Sequence, residues 1–349
     1  MLNLDQLITP ERIVGYWNDT NADQSRYLGA ALFPPDKQIG LEINMITGRA
    51  GLPVMLKASQ FDALPAYRER ISLKTSKTKM PFFRERMKID EELRQKLMMF
   101  AAAGNADLLK PYIAHIMDDT ANLIKGADVV KERMVMQLLA SGRIDIESSG
   151  VPLSFDYALE KPQKVTAKIP WAEADSKPLQ DVDGWLKKFE VRYGVRLTRA
   201  VMSLGTFAIL KSNLSIARNL YPDATTTEGL LISDSDIKQI FQLKLGVAVQ
   251  EYRELYALEP GGVGHKFYPD GVVTFIVSGT LGNCIYGTTP EEMDLMTHQT
   301  NANVSIVNTG VAVVTEVISL PVNVETRVSQ IVLPSFNVGG GNILIATIQ

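Results

Sequence analysis

The stretch DDTANLIKGADVVKERMVMQLLASG, residues 118–142, constrains the fold more than any other part of the chain. Leu123, Ala127, Val130, Met134 and Leu138 recur every three or four residues, the spacing of one helical face. Asp118, Asp119 or Thr120 can cap the first turn, and Ser141-Gly142 supplies the glycine stop that a left-handed C-terminal residue requires. The spacing predicts a long, one-sided helix over about 118–141, roughly five or six turns. Such a helix must lay its apolar stripe on another element.

Beyond Gly142 the chain turns to strand. RIDIE, VPLSFDYAL and KVTAKIP predict three strands separated by Gly150 and Pro162. PLQDVDGWLKKFEVRYG predicts a helix ending at Gly194, and VRLTRAVMS a strand. LGTFAILKSNLSIARNL reads as one helix with Phe207, Leu210, Leu214 and Ala217 in line. SDSDIKQIFQLKLG predicts another, capped by Ser233 or Asp234, and VAVQEYRELYAL a strand. From Gly262 onward the signal is almost entirely β, and the tail GGGNILIATIQ ends in a strand. There is no internal repeat. The class is α+β, with strand runs at both ends.

The first third differs. Between Phe33 and Phe83 prolines stand at 34, 35, 53, 65 and 81, alternations such as IGLEINMITG are short, and no helical period shows. Connections of this length usually carry function or form an arm. Ile39, Leu41, Ile43, Met45, Leu52, Val54, Met55 and Leu56 are too many apolar residues for a disordered linker. Two readings fit: an extended hairpin burying its apolar side on another copy, or a β-subdomain packed on its own protein.

At 349 residues the chain has room for two domains, or one with large excursions. Hydrophobic content of 46% and charged content of 21% are those of a folded soluble protein. A net charge of −3 argues against a dedicated nucleic-acid binder. A single cysteine, Cys284, excludes an internal disulfide and a multi-cysteine zinc site. MLNLDQLITPERIVGYW has no signal-peptide pattern, so synthesis in a cytoplasm is expected. The most apolar run, 304–322, contains Asn308, Glu316 and Pro321 and alternates as strands do, so no membrane span is expected.

Catalytic chemistry is hard to find. His115, His265 and His298 have no metal-ligand spacing, and Cys284 carries no nucleophile signature. GGVGHK (261–266) lacks the phosphate-loop spacing and leads into a strand, so it reads as a surface turn; GTLG (279–282) is followed by no helix. Asp118/Asp119, Asp181/Asp183 and Asp234/Asp236 coincide with helix starts, where carboxylates cap free N–H groups. A two-carboxylate active site, with Asp181 and Asp183 its first candidates, is the enzyme alternative. No catalytic residue, metal ligand or cofactor is assigned.

The remaining motif is KTSKTKMPFFRERMKIDEELRQKL (74–97), basic and broken by Pro81, then acidic at a helix start. Lys74, Lys77, Lys79, Arg84, Arg86 and Lys88 fit three roles: a nucleic-acid strip with Phe82 and Phe83 stacking on bases, contacts with acidic groups of a neighbouring copy, or a solvated basic loop.

Four segments in order resemble the lambda-type major capsid protein E family of tailed bacteriophages. They are MPFFRERMKIDEEL, VVKERMVMQLLASGRIDIE, RLTRAVMSLGTFAIL and FYPDGVVTFIVSGTLGNCIYGTTPEEMDL, covering about residues 74–295. The resemblance implies the tailed-phage major capsid fold, often called the Hong Kong 97 fold. On it, residues 1–36 would be an N-terminal arm and 37–88 an extended β-hairpin loop. Residues 89–170 would form a peripheral domain holding the spine helix, 171–310 an axial domain, and 311–349 strands returning to the peripheral domain. It implies a major capsid subunit that assembles as a homo-oligomer of pentamers and hexamers in a virion, built in the host cytoplasm around double-stranded DNA bound without sequence preference. Expected partners are a separate scaffold protein, because the family-like region begins soon after Met1, a portal and a decoration protein. The six basic residues would then be inter-subunit contacts. A non-viral, encapsulin-like shell is the nearest alternative.

Overall fold

The computed structural model describes residues 8–20, 27–47, 74–102, 106–148, 151–222, 232–297, 303–319, 322–337 and 341–349. The chain divides into two compact units, each assembled from separated stretches. The first comprises Met1–Ile43, Lys77–Arg133 and Asn283–Ser335; the second Asn44–Ser76, Met134–Gly282 and Phe336–Gln349. The boundary after Gly282 falls within 171–310.

The first unit is organised by a six-stranded sheet. Its longest strand, Val322–Phe336, has fifteen residues and pairs with three others. Val311–Ser319 lies antiparallel to it in a nine-residue ladder, with Asn303–Val307 beyond. Phe82–Ile89 pairs with it antiparallel, from Val324↔Ile89 to Ile331↔Phe82. Gly282–Tyr286 also adjoins it and carries Pro35–Lys37 in parallel at its far side. Alternation puts Val311, Val313, Val324, Val328 and Gln330 on one face, all buried. There the Gln330 amide donates to the Ala127 carbonyl at 2.8 Å, tying the sheet to the long helix. Ile116, Ala121, Ile124 and Ala127 of that helix are buried.

The second unit holds a five-stranded mixed sheet, ordered Lys164–Thr166, Ile343–Thr347, Val272–Ile276, Arg199–Ser203, Ala248–Tyr252. Ala200, Met202, Val273, Phe275, Leu344 and Ala346 join a core with Trp171 from the turn before helix Pro178–Tyr193 and with Phe189, Phe207, Leu210 and Phe241 from the surrounding helices. The opposite face is also covered: the Thr274 hydroxyl donates to the Leu139 carbonyl at 2.7 Å, in the last turn of the long helix. A sheet buried on both faces explains why AVMS and VVTFI are mostly apolar and do not alternate. Arg143–Ser148 and Val151–Asp156 form a separate antiparallel pair.

Several elements differ from the sequence expectation. The long helix runs Ala106–Ser141, starting twelve residues before Asp118. The Asp-Asp-Thr triplet resembles a cap, but inside the helix the Thr120 hydroxyl returns to the Ile116 carbonyl at 2.8 Å. Gly142 does end the helix, with φ of 73°. Residues 204–220 form two helices, Leu204–Ser212 and Leu214–Leu220. Asn213 separates them because its side chain accepts from the Ser215 and Ile216 N–H groups, capping the second. The strand expected over 247–258 stops at Tyr252, and a helix, Pro290–Thr297, interrupts the β-rich C-terminal third. Helices Pro10–Thr20 and Leu28–Leu32 lie in the expected arm, with Ile13, Trp17 and Leu32 buried. Within KTSKTKMPFFRERMKI, Lys74–Lys79 and Phe82–Ile89 are strands on either side of Met80-Pro81.

Candidate assembly surface

The basic stretch begins in a two-stranded ribbon, where Lys74–Lys79 pairs with Glu42–Thr47. Of the apolar residues noted between Ile39 and Leu56, Leu52, Val54, Met55 and Leu56 lie outside the described residues, as does the side chain of Lys74. Lys77 and Lys79 are exposed. Past Pro81 the chain enters the six-stranded sheet, and alternation places Arg84, Arg86 and Lys88 on one face with Glu316, Glu325 and Arg327.

That face is charged and crowded. Arg86 stands directly opposite Arg327 in the ladder, a like-charged pair that is unfavourable unless anions surround it. Two carboxylates do so: Arg86 Nη1 donates to Glu325 Oε2 at 3.1 Å, and Arg327 Nη2 to Glu316 Oε2 at 3.4 Å. Arg84 lies over the Phe82 ring at 5.5 Å. Among the described residues Lys77, Lys79, Arg84 and Lys88 have no ion-pair partner. Arg84, Glu85, Arg86 and Arg327 line a cavity of about 360 Å³. Around the cavity, three guanidinium groups stand with Glu85, which lines it beside them, and with Glu325 and Glu316, which pair with Arg86 and Arg327.

The hairpin base is held by CIYGTTPEE (284–292). Gly287 sits where a Cβ would meet the Gly40 carbonyl at 2.7 Å and Ile331 and Met80 side-chain atoms at 2.8 Å, so only glycine fits without displacement. Thr288 accepts from the Gly40 N–H at 3.3 Å, and Thr289 caps the following helix through the Glu292 N–H at 3.2 Å. Glu292 receives the Lys37 ammonium at 2.6 Å, and Glu291 the Ser329 hydroxyl at 2.8 Å. Beneath, Lys131 is nearly buried beside Asp128, 2.9 Å away. Burial opposes its charge, but Tyr286 and Asp128 outweigh that and raise its pKa. Burial pushes the Tyr286 hydroxyl and the Cys284 thiol each up to about 12, so Cys284 is a packed thiol. Glu132, fully buried, accepts the Gly29 N–H on both oxygens, at 3.0 and 3.1 Å.

A second node joins FYPDG to TRAVMSLGT. Asp270 accepts the Ser203 hydroxyl at 2.5 Å and the Lys266 ammonium; Lys266 first and Ser203 next hold its carboxyl below the usual range. The Gly271 N–H donates to Thr206 at 2.9 Å, and a Cβ on Gly205 would strike Asp270 at 2.5 Å. These motifs fix backbone geometry. The candidate catalytic carboxylates bond to neighbouring side chains: Trp171 Nε1 donates to Asp181 at 3.1 Å and Lys187 to Asp183 at 2.7 Å. Among the described residues no cluster of His, Cys, Asp and Glu is arranged to hold a metal, and no helix is long and apolar enough to cross a membrane.

The family model for phage major capsid protein E matches residues 11–337. The chain belongs to that family. No curated protein sequence matches it. Among solved structures, a protein described as a prophage capsid protein from Escherichia coli CFT073 is similar at a TM-score of 0.59 and 14% identity, covering 98% of this chain and 99% of the other. A phage-related protein from Bordetella bronchiseptica RB50 is similar at a TM-score of 0.53 and 12% identity, covering 97% of each. The fold is the tailed-phage capsid fold. This capsid protein is a structural subunit of the virion shell, not an enzyme, and the phage family sets aside the encapsulin-like and two-carboxylate readings. As a major capsid protein it works as a homo-oligomer.

Proposed function

We propose that the basic strip works between subunits, with Lys74, Lys77, Lys79, Arg84, Arg86 and Lys88 meeting carboxylates of an adjacent copy. The observation that carries this is the exposure of Lys77, Lys79, Arg84 and Lys88 with no ion-pair partner among the described residues, where Arg84, Glu85, Arg86 and Arg327 line a cavity of about 360 Å³, on a chain whose net charge is −3. A carboxylate entering there relieves the Arg86–Arg327 opposition with charge-assisted hydrogen bonds. Each contact is weak and salt-sensitive, which suits a shell that corrects errors before it locks. In this reading residues 1–36 act as an arm, 37–88 as an extended loop reaching a neighbour, 89–170 as the peripheral domain, 171–310 as the axial domain and 311–349 as its closing strands. Pentamers and hexamers then close an icosahedral shell with a separate scaffold, a portal, a decoration protein and non-specifically bound double-stranded DNA as partners.

Deleting residues 40–80 should leave a folded core that forms no shells; normal particles by electron microscopy would refute the loop's role. Arg84→Glu with Arg86→Glu should lose assembly while heparin or DNA binding stays negligible in both proteins. Strong, salt-dependent DNA binding by the unaltered chain, abolished in the variant, would instead support the nucleic-acid reading.

A further inference from the structure

The second unit carries an exposed apolar projection. Leu255–Tyr256 and His265–Lys266 form a two-stranded hairpin, paired Leu255↔Lys266 and Tyr256↔His265. Residues 257–264 at its tip are all exposed, with Leu258 at 66% and Val263 at 81%. A lone two-stranded hairpin is marginal in water. Here Tyr256 packs on Phe267 at 4.8 Å and on His265 at 5.7 Å, and Tyr252 meets Phe267 at 6.3 Å. The turn is closed by the Gly262 N–H donating to the Glu259 carbonyl at 3.0 Å, with Gly261 left-handed at φ 74°. The tip is thus shaped before it meets anything, which lowers the entropy lost on docking.

The same unit carries an apolar groove of about 520 Å³, walled by Pro162, Val165, Trp185, Phe189 and Val191. Trp185 is fixed by stacking on the buried Trp171, with ring centres 6.0 Å apart. Val191 is 76% exposed on helix Pro178–Tyr193. No residue of the hairpin lines the groove in its own chain.

We propose that the hairpin tip of one copy, led by Leu258 and Val263, seats in this groove of a second copy. The charges agree. Glu259 stands exposed beside Leu258, Lys188 stands at the groove rim, and neither has an ion-pair partner among the described residues. A second copy is the occupant because the chain works as a homo-oligomer, and its own tip and groove pair apolar surface with apolar surface and Glu259 with Lys188. The contact joins two different patches, so it is heterologous and repeats head to tail, closing a ring when the rotation permits. It is distinct from the basic strip, and either can fail alone.

The test is disulfide trapping in the full chain, with Leu258→Cys and Val191→Cys together; Cys284 is buried and stays silent. The two Cα atoms must approach within about 7 Å to link. Under oxidation the double variant should give a ladder of multimers on non-reducing gels, whereas mixed single variants should give only dimers. Leu258→Asp should lower assembly about tenfold by light scattering, with an unchanged melting curve because the residue is exposed. Particles that form without the link, normal assembly by Leu258→Asp, or a wild-type chain that stays monomeric at every concentration would each overturn the proposal.

Discussion

The two sheets of this protein solve opposite problems. The five-stranded sheet of the second unit is apolar on both faces and covered on both, by helices on one side and by the end of the long helix on the other. The six-stranded sheet of the first unit buries one face and part of the other, where Ala312, Val314 and Ser329 are covered, and leaves the rest of that second face to Arg84, Arg86, Lys88, Arg327, Glu316 and Glu325. Hydrophobic burial holds the first arrangement together, at roughly 25 cal/mol per Å² removed from water. In the second, each exposed ion pair contributes about 0–1 kcal/mol to folding. Charges that stabilise so little locally are free to serve a contact elsewhere, whereas core residues are not.

The largest effect should come from the covered sheet. Trp171→Ala removes a fully buried ring stacked on Trp185 and should cost about 3–5 kcal/mol in urea unfolding. A loss below about 1 kcal/mol would break the comparison. Glu132→Gln, which replaces a buried carboxylate holding the Gly29 N–H, should cost about 1–3 kcal/mol and lower the melting temperature of the first unit. A double-mutant cycle on Arg86 and Glu325 should give only about 0.2–1 kcal/mol of coupling in the unassembled chain. A coupling above about 2 kcal/mol would mean that the charged face is structural after all.

Cys284 sharpens the picture from inside. With burial pushing its thiol up to about 12, it should stay unlabelled by a thiol reagent at pH 8 until the first unit opens, so labelling reports that opening. The smallest effect belongs to Glu91 on the exposed helix Glu91–Ala102. The Arg94 guanidinium holds its carboxyl at about 2, with Gln95 assisting. A depressed folded pKa contributes stability that is present above the ordinary carboxylate value and lost as pH falls towards about 2. NMR titration should show Glu91 still ionised at pH 3; an ordinary midpoint would show that the pair does not persist in solution.

Much of this was legible in the chain itself. The stripe Leu123–Leu138 and the Gly142 stop determined a long helix, the apolar run VRLTRAVMS marked a strand, and Ser233 or Asp234 marked a helix start. These are local signals, set by periodicity and capping, which act within a few residues. Four motifs also marked the family, and the contacts of Gly287, Glu292, Asp270 and Thr206 show why those residue types stand there. Tertiary structure alone decided the rest. Whether Asp-Asp-Thr caps a helix or rides inside one depends on the residues before it, and Asn213 splits a helix by a bond its neighbours' periodicity hides. The pairing of Arg86 with Glu325 lies 239 residues apart in the chain. The groove at Trp185 and the hairpin tip at Val263 likewise exist only as surfaces, because cavities and projections are properties of packing between distant segments.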